Sequence, residues 1–231
     1  MSTIDELDWD AAAAQLDDAG YALLPGALAA ERCAAIAALY ADDAAFRSTV
    51  RMQAHGYGRG EYRYFRYPLP PEIATLRSNV YAHLAPLANV WNERLGGADR
   101  YPPALDAYLD RCLAAGQRRP TPLLLKYVAG DYNRLHQDVY GELAFPLQAT
   151  IFLSDRADYA SGETVLTMQR PRLQARAEVI VPQRGDLLIF PNRYRPVASA
   201  HGFSRENVRH GVSAVRSGTR YALGIIFHDA T

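Results

Sequence analysis

From Pro122 onward the chain is cut into short runs of β-branched and aromatic residues separated by Gly, Asp and Pro turns. Seven such runs, 123–128, 147–154, 163–168, 177–181, 186–190, 210–215 and 220–227, read as strands. Short antiparallel strands that close on themselves hide most of their edges and leave an open mouth, so this half predicts a jelly roll.

The first half reads differently. Residues 6–18 form a predicted helix, capped by Asp8 and ended at Gly20, and a short strand and turn follow over 21–26. A second helix over 29–40 carries Cys33, Ile36, Ala37 and Tyr40 on one stripe. Helices over 71–95 and 103–116 open at Pro and close at Gly. In the first of these, Leu76, Val80, His83, Leu84, Leu87 and Trp91 share a stripe, which makes His83 a packed core imidazole rather than a ligand. Between the helical pairs, residues 46–70 mix Arg47, Arg51, Arg59, Arg63 and Arg66 with Tyr57, Tyr62, Tyr64, Phe65 and Tyr67. Guanidinium groups bind phosphate and aromatic rings stack on bases, so this stretch is a candidate substrate lid, with Arg59 and Arg63 as candidate contacts. The bland alternative is a Tyr-rich hairpin with solvated arginines. The expectation is one α+β domain over 1–231, a mainly helical flank (1–120) on a β-rich core (121–231).

Twenty-five basic against 25 acidic residues leave no net charge, so nothing draws the whole molecule toward a polyanion and only a local basic face remains open. The two cysteines, Cys33 and Cys112, lie far apart in helical segments, which argues against a disulfide framework and for a reducing compartment. No apolar run approaches the ~20 residues that span a bilayer, and the acidic N-terminus lacks the basic and apolar regions of a signal peptide, so a cytoplasmic protein without membrane partners is expected.

His136 and Asp138 stand two residues apart, and in a strand that spacing puts both side chains on one face. Alone, the pair also fits a surface turn. His210, 74 residues on, supplies a third ligand, and two His with one carboxylate leave the open face that suits non-haem Fe(II). Arg220 follows, placed to hold a carboxylate bidentately.

These residues, with Tyr127, Ser161-Gly162-Glu163-Thr164 and the run 184–190 in the same order, resemble the Fe(II)/2-oxoglutarate-dependent dioxygenases over roughly residues 121–230. The segments 136–142, 169–172 and 223–230 resemble a bacterial branch described as presumed oxidative demethylases of damaged nucleic acid. The resemblance implies a double-stranded β-helix (cupin-like jelly roll) with N-terminal flanking helices. It implies Fe(II) held by His136, Asp138 and His210, and 2-oxoglutarate, used with O2, held by Arg220 and Tyr127. Tyr140, Glu142 and Gln148, flanking the first metal-binding strand, are candidate substrate contacts, and Arg134 has the parity to share the face of His136. Arg209 should point away, Arg216 is read as a surface residue, and Glu163 and Asp186 as turn residues. His201, in a Gly/Ser-rich loop over 196–207, is placed to close over the site; His228-Asp229 is a minor alternative ligand pair. The expected partners are the small-molecule co-substrate and an alkylated nucleic acid or nucleotide. The alternatives are a hydroxylase of a small metabolite or protein side chain, and a non-enzymatic metal-binding jelly-roll module.

Overall fold

The computed structural model describes residues 4–231. The N-terminal part holds α1 (Trp9–Asp18), β1 (Ala22–Leu24), α2 (Ala30–Ala38), β2 (Phe46–Arg51), β3 (Gly58–Arg59), β4 (Glu61–Phe65), α3 (Pro71–Arg94) and α4 (Leu105–Ala114). The strands that follow are β5 (Leu123–Val128), β6 (Tyr132–His136), β7 (Leu147–Phe152), β8 (Tyr159–Ser161), β9 (Thr164–Gln169), β10 (Arg176–Ile180), β11 (Leu187–Pro191), β12 (Tyr194–Ser199), β13 (Gly202–Val212) and β14 (Val215–Ile226).

They form two antiparallel sheets. The major sheet runs β1-β11-β7-β14-β5-β4-β2, with β8 on β14; the minor sheet runs β10-β9-β13-β6-β3, with β12 on β13. Because side chains alternate along a strand, the major sheet has two faces with different duties. Leu124, Ala149, Ile151, Ile189, Leu223 and Ile225 pack outward with the buried faces of α1, α2 and α3 in the main core. The opposite face looks at the minor sheet. On one side of that space Phe152, Leu166, Met168, Leu188, Phe190 and Val208 fill it, and on the other side it stays open as a cavity. This is the double-stranded β-helix with helical flanks, an α+β architecture.

The N-terminal part is more than a helical flank, since it contributes strands to both sheets. Residues 46–70 are not a free loop: β2 pairs with β4, and β4 pairs with β5 in the major sheet. Likewise 196–207 is a paired hairpin of β12 and β13 with His201 at its tip, not an unpaired flap. Its buried Arg195 explains the ordering. That guanidinium meets Glu206 at 2.6 Å and donates to the carbonyls of Leu16, Asp17 and Asp18, the otherwise unpartnered C-terminal acceptors of α1. At the other end of α1, the Asp8 side chain accepts from the Ala11 N–H as a cap.

His83 is not in the core. It sits half-exposed at the edge of α3, stacked on Trp9 at 4.4 Å and bonded to Asp5. Arg77 occupies the core instead, 1% exposed and joined to Asp229 at 2.8 Å. Asp229 is thereby committed, and the neighbouring His228 ring accepts from the Phe145 N–H, so these two do not form a ligand pair. Cys33 and Cys112 are buried and free. No described helix is long and apolar enough to cross a membrane.

Candidate active site

A cavity of about 490 Å3 opens between the sheets, and its wall alternates in the way strand geometry requires. Tyr127, Leu125 and Leu123 on β5 face it, as do Arg220, Ala222 and Gly224 on β14, Gln148 and Thr150 on β7, and Tyr62 and Tyr64 on β4.

His136 is the last residue of β6 and pairs directly with His210 on β13. Asp138 lies two residues beyond the end of β6, and both it and His136 face the cavity. The register slips between His210 and Val212, and Gly211 accommodates the slip: a Cβ there would sit 2.7 Å from the Asn133 carbonyl oxygen. Such bulges re-aim side chains beside active sites.

The result is convergence. Asp138 Oδ1 is 3.5 Å from His136 Nε2, and Oδ2 is 3.2 Å from His210 Nε2. One ligand atom from each of the three residues falls within 4.8 Å of the others. These spacings suit ligands sharing a cation through bonds of about 2.0–2.2 Å. His136 Nδ1 lies 2.7 Å from the Arg134 carbonyl; donating its proton there leaves the Nε2 lone pair facing inward, the usual way a protein fixes the tautomer of a metal-binding His. The Tyr140 hydroxyl donates to Asp138 Oδ1, which orients the carboxylate. Burial alone would raise the Asp138 pKa, but the charges and hydrogen bonds of His210 and His136 outweigh it and hold the carboxyl well below its usual range. Burial works against charge on His210 and lowers its pKa. An ionised carboxylate facing imidazole nitrogens in a buried pocket is a donor set that fits a divalent metal.

Arg220 pairs across the sheet with Tyr127, and both face the same cavity. It is 2% exposed, its Nη2 donates to Thr164 Oγ1 at 3.2 Å, and its Nε is buried without a hydrogen-bond partner. Among the described residues no carboxylate forms an ion pair with it. The Tyr127 hydroxyl is also buried, and burial pushes its pKa up to about 12, which keeps it a proton donor.

The substrate candidates divide. Tyr140 and Gln148 line the cavity. Glu142 is exposed and outside the cavity wall, where water solvates its charge better than the apolar wall would. Arg59 and Arg63 are not brought to the cavity. Arg59 projects from β3 with its side chain 58% exposed, 3.5 Å from Asp131. Arg63 lies on the opposite face of β4 from Tyr62 and Tyr64, bonded to Asp43 and the Tyr40 carbonyl and stacked over the Tyr40 ring. Within β4 parity separates the two residue types: Tyr62 and Tyr64 enter the cavity and Arg63 leaves it. Arg134 is exposed and outside the cavity wall, its backbone N–H bonded to the Tyr57 carbonyl, and Arg209 and Arg216 are exposed. Asp186 caps a turn by accepting from Gly26 and Gln183, and Glu163 is bonded to Ser213, both as turn residues.

Sequence reasoning missed Tyr57, Tyr62, Tyr64 and Asn133 as individual wall residues. The period-two alternation of 61–65 was the signal that separates Tyr62 and Tyr64 from Arg63.

Comparison with known proteins agrees with this geometry. Residues 60–230 match the family described as an oxygenase catalysing oxidative methylation of damaged DNA. Two uncharacterized proteins from strains of Mycobacterium tuberculosis are 48% identical over 167 residues, covering 72% of this chain and 72% of theirs. Among solved structures, a Pseudomonas putida prolyl-4-hydroxylase superposes with a TM-score of 0.56 at 15% identity, over 96% of this chain and 100% of that one. A 2OG-Fe(II) oxygenase family oxidoreductase from Burkholderia pseudomallei gives 0.55 at 19% identity, over 96% and 93%. These structural likenesses establish the shared fold, and the extended sequence match over the cavity-bearing core establishes more: the chain belongs to the oxygenase family described as acting on damaged DNA.

Proposed function

We propose that the protein is an Fe(II)/2-oxoglutarate-dependent dioxygenase that oxidises an alkyl group on a nucleobase. The observation that carries this reading is one cavity holding both a convergent His136, Asp138 and His210 and a buried guanidinium, Arg220, with no ion-paired carboxylate among the described residues. A buried unpaired charge is costly unless a ligand supplies its counter-ion.

His136, Asp138 and His210 would hold the iron, which when bound activates oxygen against a C–H bond while 2-oxoglutarate is oxidatively decarboxylated to succinate. Arg220 takes the distal carboxylate of the co-substrate through charge-assisted hydrogen bonds, with the Tyr127 hydroxyl and Thr164 beside it. The ring walls of Tyr62, Tyr64 and Tyr140 exclude water from the reacting end. Oxidation of an N-methyl group gives an N-hydroxymethyl product that loses formaldehyde, so removal of a methyl lesion follows from hydroxylation alone.

A polynucleotide is favoured over a free metabolite by the mouth. There the exposed His55 and Tyr57 rings stack at 5.3 Å, and the exposed Arg134, bonded through its backbone to Tyr57, makes no ion pair among the described residues. A stacking platform at the cavity wall suits a single strand flanking an extruded base. The test is succinate and formaldehyde release from methylated single-stranded DNA with Fe(II), 2-oxoglutarate and oxygen supplied. Substrate-stimulated release of both supports the reading, and stimulation by small metabolites or peptides but not by DNA would move the substrate to another class.

A further inference from the structure

We infer that the Gln148 side-chain amide reads the hydrogen-bonding edge of the substrate ring and thereby sets which alkylated bases the enzyme accepts. This rests on the oxygenase reading above and names the recognition element of the same cavity. Gln148 is 4% exposed and lines the cavity, yet its Nε2 is buried with no hydrogen-bond partner, and no other bond to its side chain is formed among the described residues. Buried amide groups are nearly always satisfied, so an unsatisfied amide on a residue that lines a cavity marks the place of a missing partner.

Register shows that the acceptor is not the co-substrate. Gln148 pairs with Ile226 on β14, six residues beyond Arg220 on the same strand, or roughly 20 Å at about 3.3 Å per residue. A five-carbon diacid anchored on Arg220 does not reach that far. Ile226 belongs instead to the cluster of Tyr64, Tyr62, Leu123 and Tyr140, so Gln148 stands at the tyrosine end of the cavity.

That end recognises without charge. Among the described residues Arg220 is the only Arg or Lys on the cavity wall and Asp138 the only carboxylate, and Asp138 is committed to the imidazoles and to the Tyr140 hydroxyl. Of the other side-chain amides on the wall, Gln137 gives its nitrogen to Asn207 and Val208 and Asn133 lies on β6 of the minor sheet, so among the described residues the Gln148 amide is the coplanar donor and acceptor that the major sheet offers a ring seated against Tyr62 and Tyr64. Such an amide complements the edge of a nitrogen heterocycle, where a carbonyl oxygen or ring nitrogen lies beside a donor or a second acceptor. A site with a buried donor rejects a ring that cannot satisfy it more strongly than an apolar pocket rejects a change of size.

The experiment uses the full chain loaded anaerobically with Mn(II) and 2-oxoglutarate. The probes are fluorescent single strands carrying one central 3-methylthymine, 3-methylcytosine, or a difluorotoluene nucleotide, which has the shape of thymine without its hydrogen-bonding edge. The wild-type protein should bind at least one methylated strand about 10- to 100-fold more tightly than the difluorotoluene strand. Gln148→Leu should abolish that difference, and Gln148→Glu, which keeps the volume and removes the donor, should do the same. Both variants should retain 2-oxoglutarate affinity. Discrimination that survives in both variants, a wild-type protein that does not discriminate, or variants that lose 2-oxoglutarate binding would each overturn the assignment. Failure of the oxygenase reading shows itself separately, as wild-type protein that binds no 2-oxoglutarate with metal present.

Discussion

Arg77 and Arg220 are equally removed from water, 1% and 2% exposed, yet the chain treats them in opposite ways. Arg77 bonds to Asp229, to the Tyr67 hydroxyl and to the Ile226 carbonyl, and so ties α3 to the end of β14. Arg220 has one hydroxyl, Thr164, and the rings of Tyr127 and Phe152 at 5.4 Å. A guanidinium that the fold neutralises is a structural part. One that the fold leaves charged inside a cavity awaits an anion, and the difference can be measured.

The largest effect should come from Arg77→Ala, which leaves Asp229 buried and unpaired; chemical denaturation should show a loss of about 3–5 kcal/mol. Arg220→Ala removes a charge that has no ion-pair partner among the described residues, so the ligand-free protein should unfold at nearly the wild-type denaturant concentration. Next in size is the response to ligand. With metal present and 2-oxoglutarate at about 100 times its Kd, the wild-type protein should gain about 2.7 kcal/mol. Chelating the metal should erase most of that gain, since the triad then offers the co-substrate no cation, and an unchanged thermal shift after chelation would separate 2-oxoglutarate from the metal site. A smaller effect belongs to Tyr64→Leu: weaker binding of methylated single strands by about 1–3 kcal/mol, the scale of a lost stacking contact, with co-substrate affinity preserved. Smallest of all is Arg63→Ala. Its partner Asp43 is exposed, so stability should fall by less than about 1 kcal/mol and strand binding should not change. Reduced strand binding in that variant would return the arginines of 46–70 to the substrate site.

The same contrast shows what could be read from sequence. The strands at 123–128 and 147–152 and the helix at 71–94 were legible because β-branched runs, Pro openings and Gly closures are local signals. His136, Asp138, His210 and Arg220 were legible from residue type and order. Two things were not. The hairpin of β12 and β13 looked like a loop because its ordering depends on Arg195 meeting Glu206 and the end of α1, contacts between residues far apart in the chain. The burial of Arg77, likewise, is set by Asp229, 152 residues away. The His136 and Asp138 pair faces one cavity, as its two-residue spacing predicts, although β6 itself ends at His136.

The central claim is that Arg220 is held unpaired for the carboxylate of a co-substrate whose other end meets the metal. Anaerobic calorimetric titration of 2-oxoglutarate into Mn(II)-loaded wild-type and Arg220→Ala protein tests it most directly. A loss of about 1.5–3 kcal/mol, or roughly 10- to 150-fold in Kd, is predicted, as for a hydrogen bond to a charged group. Equal affinity in the two proteins would contradict the account.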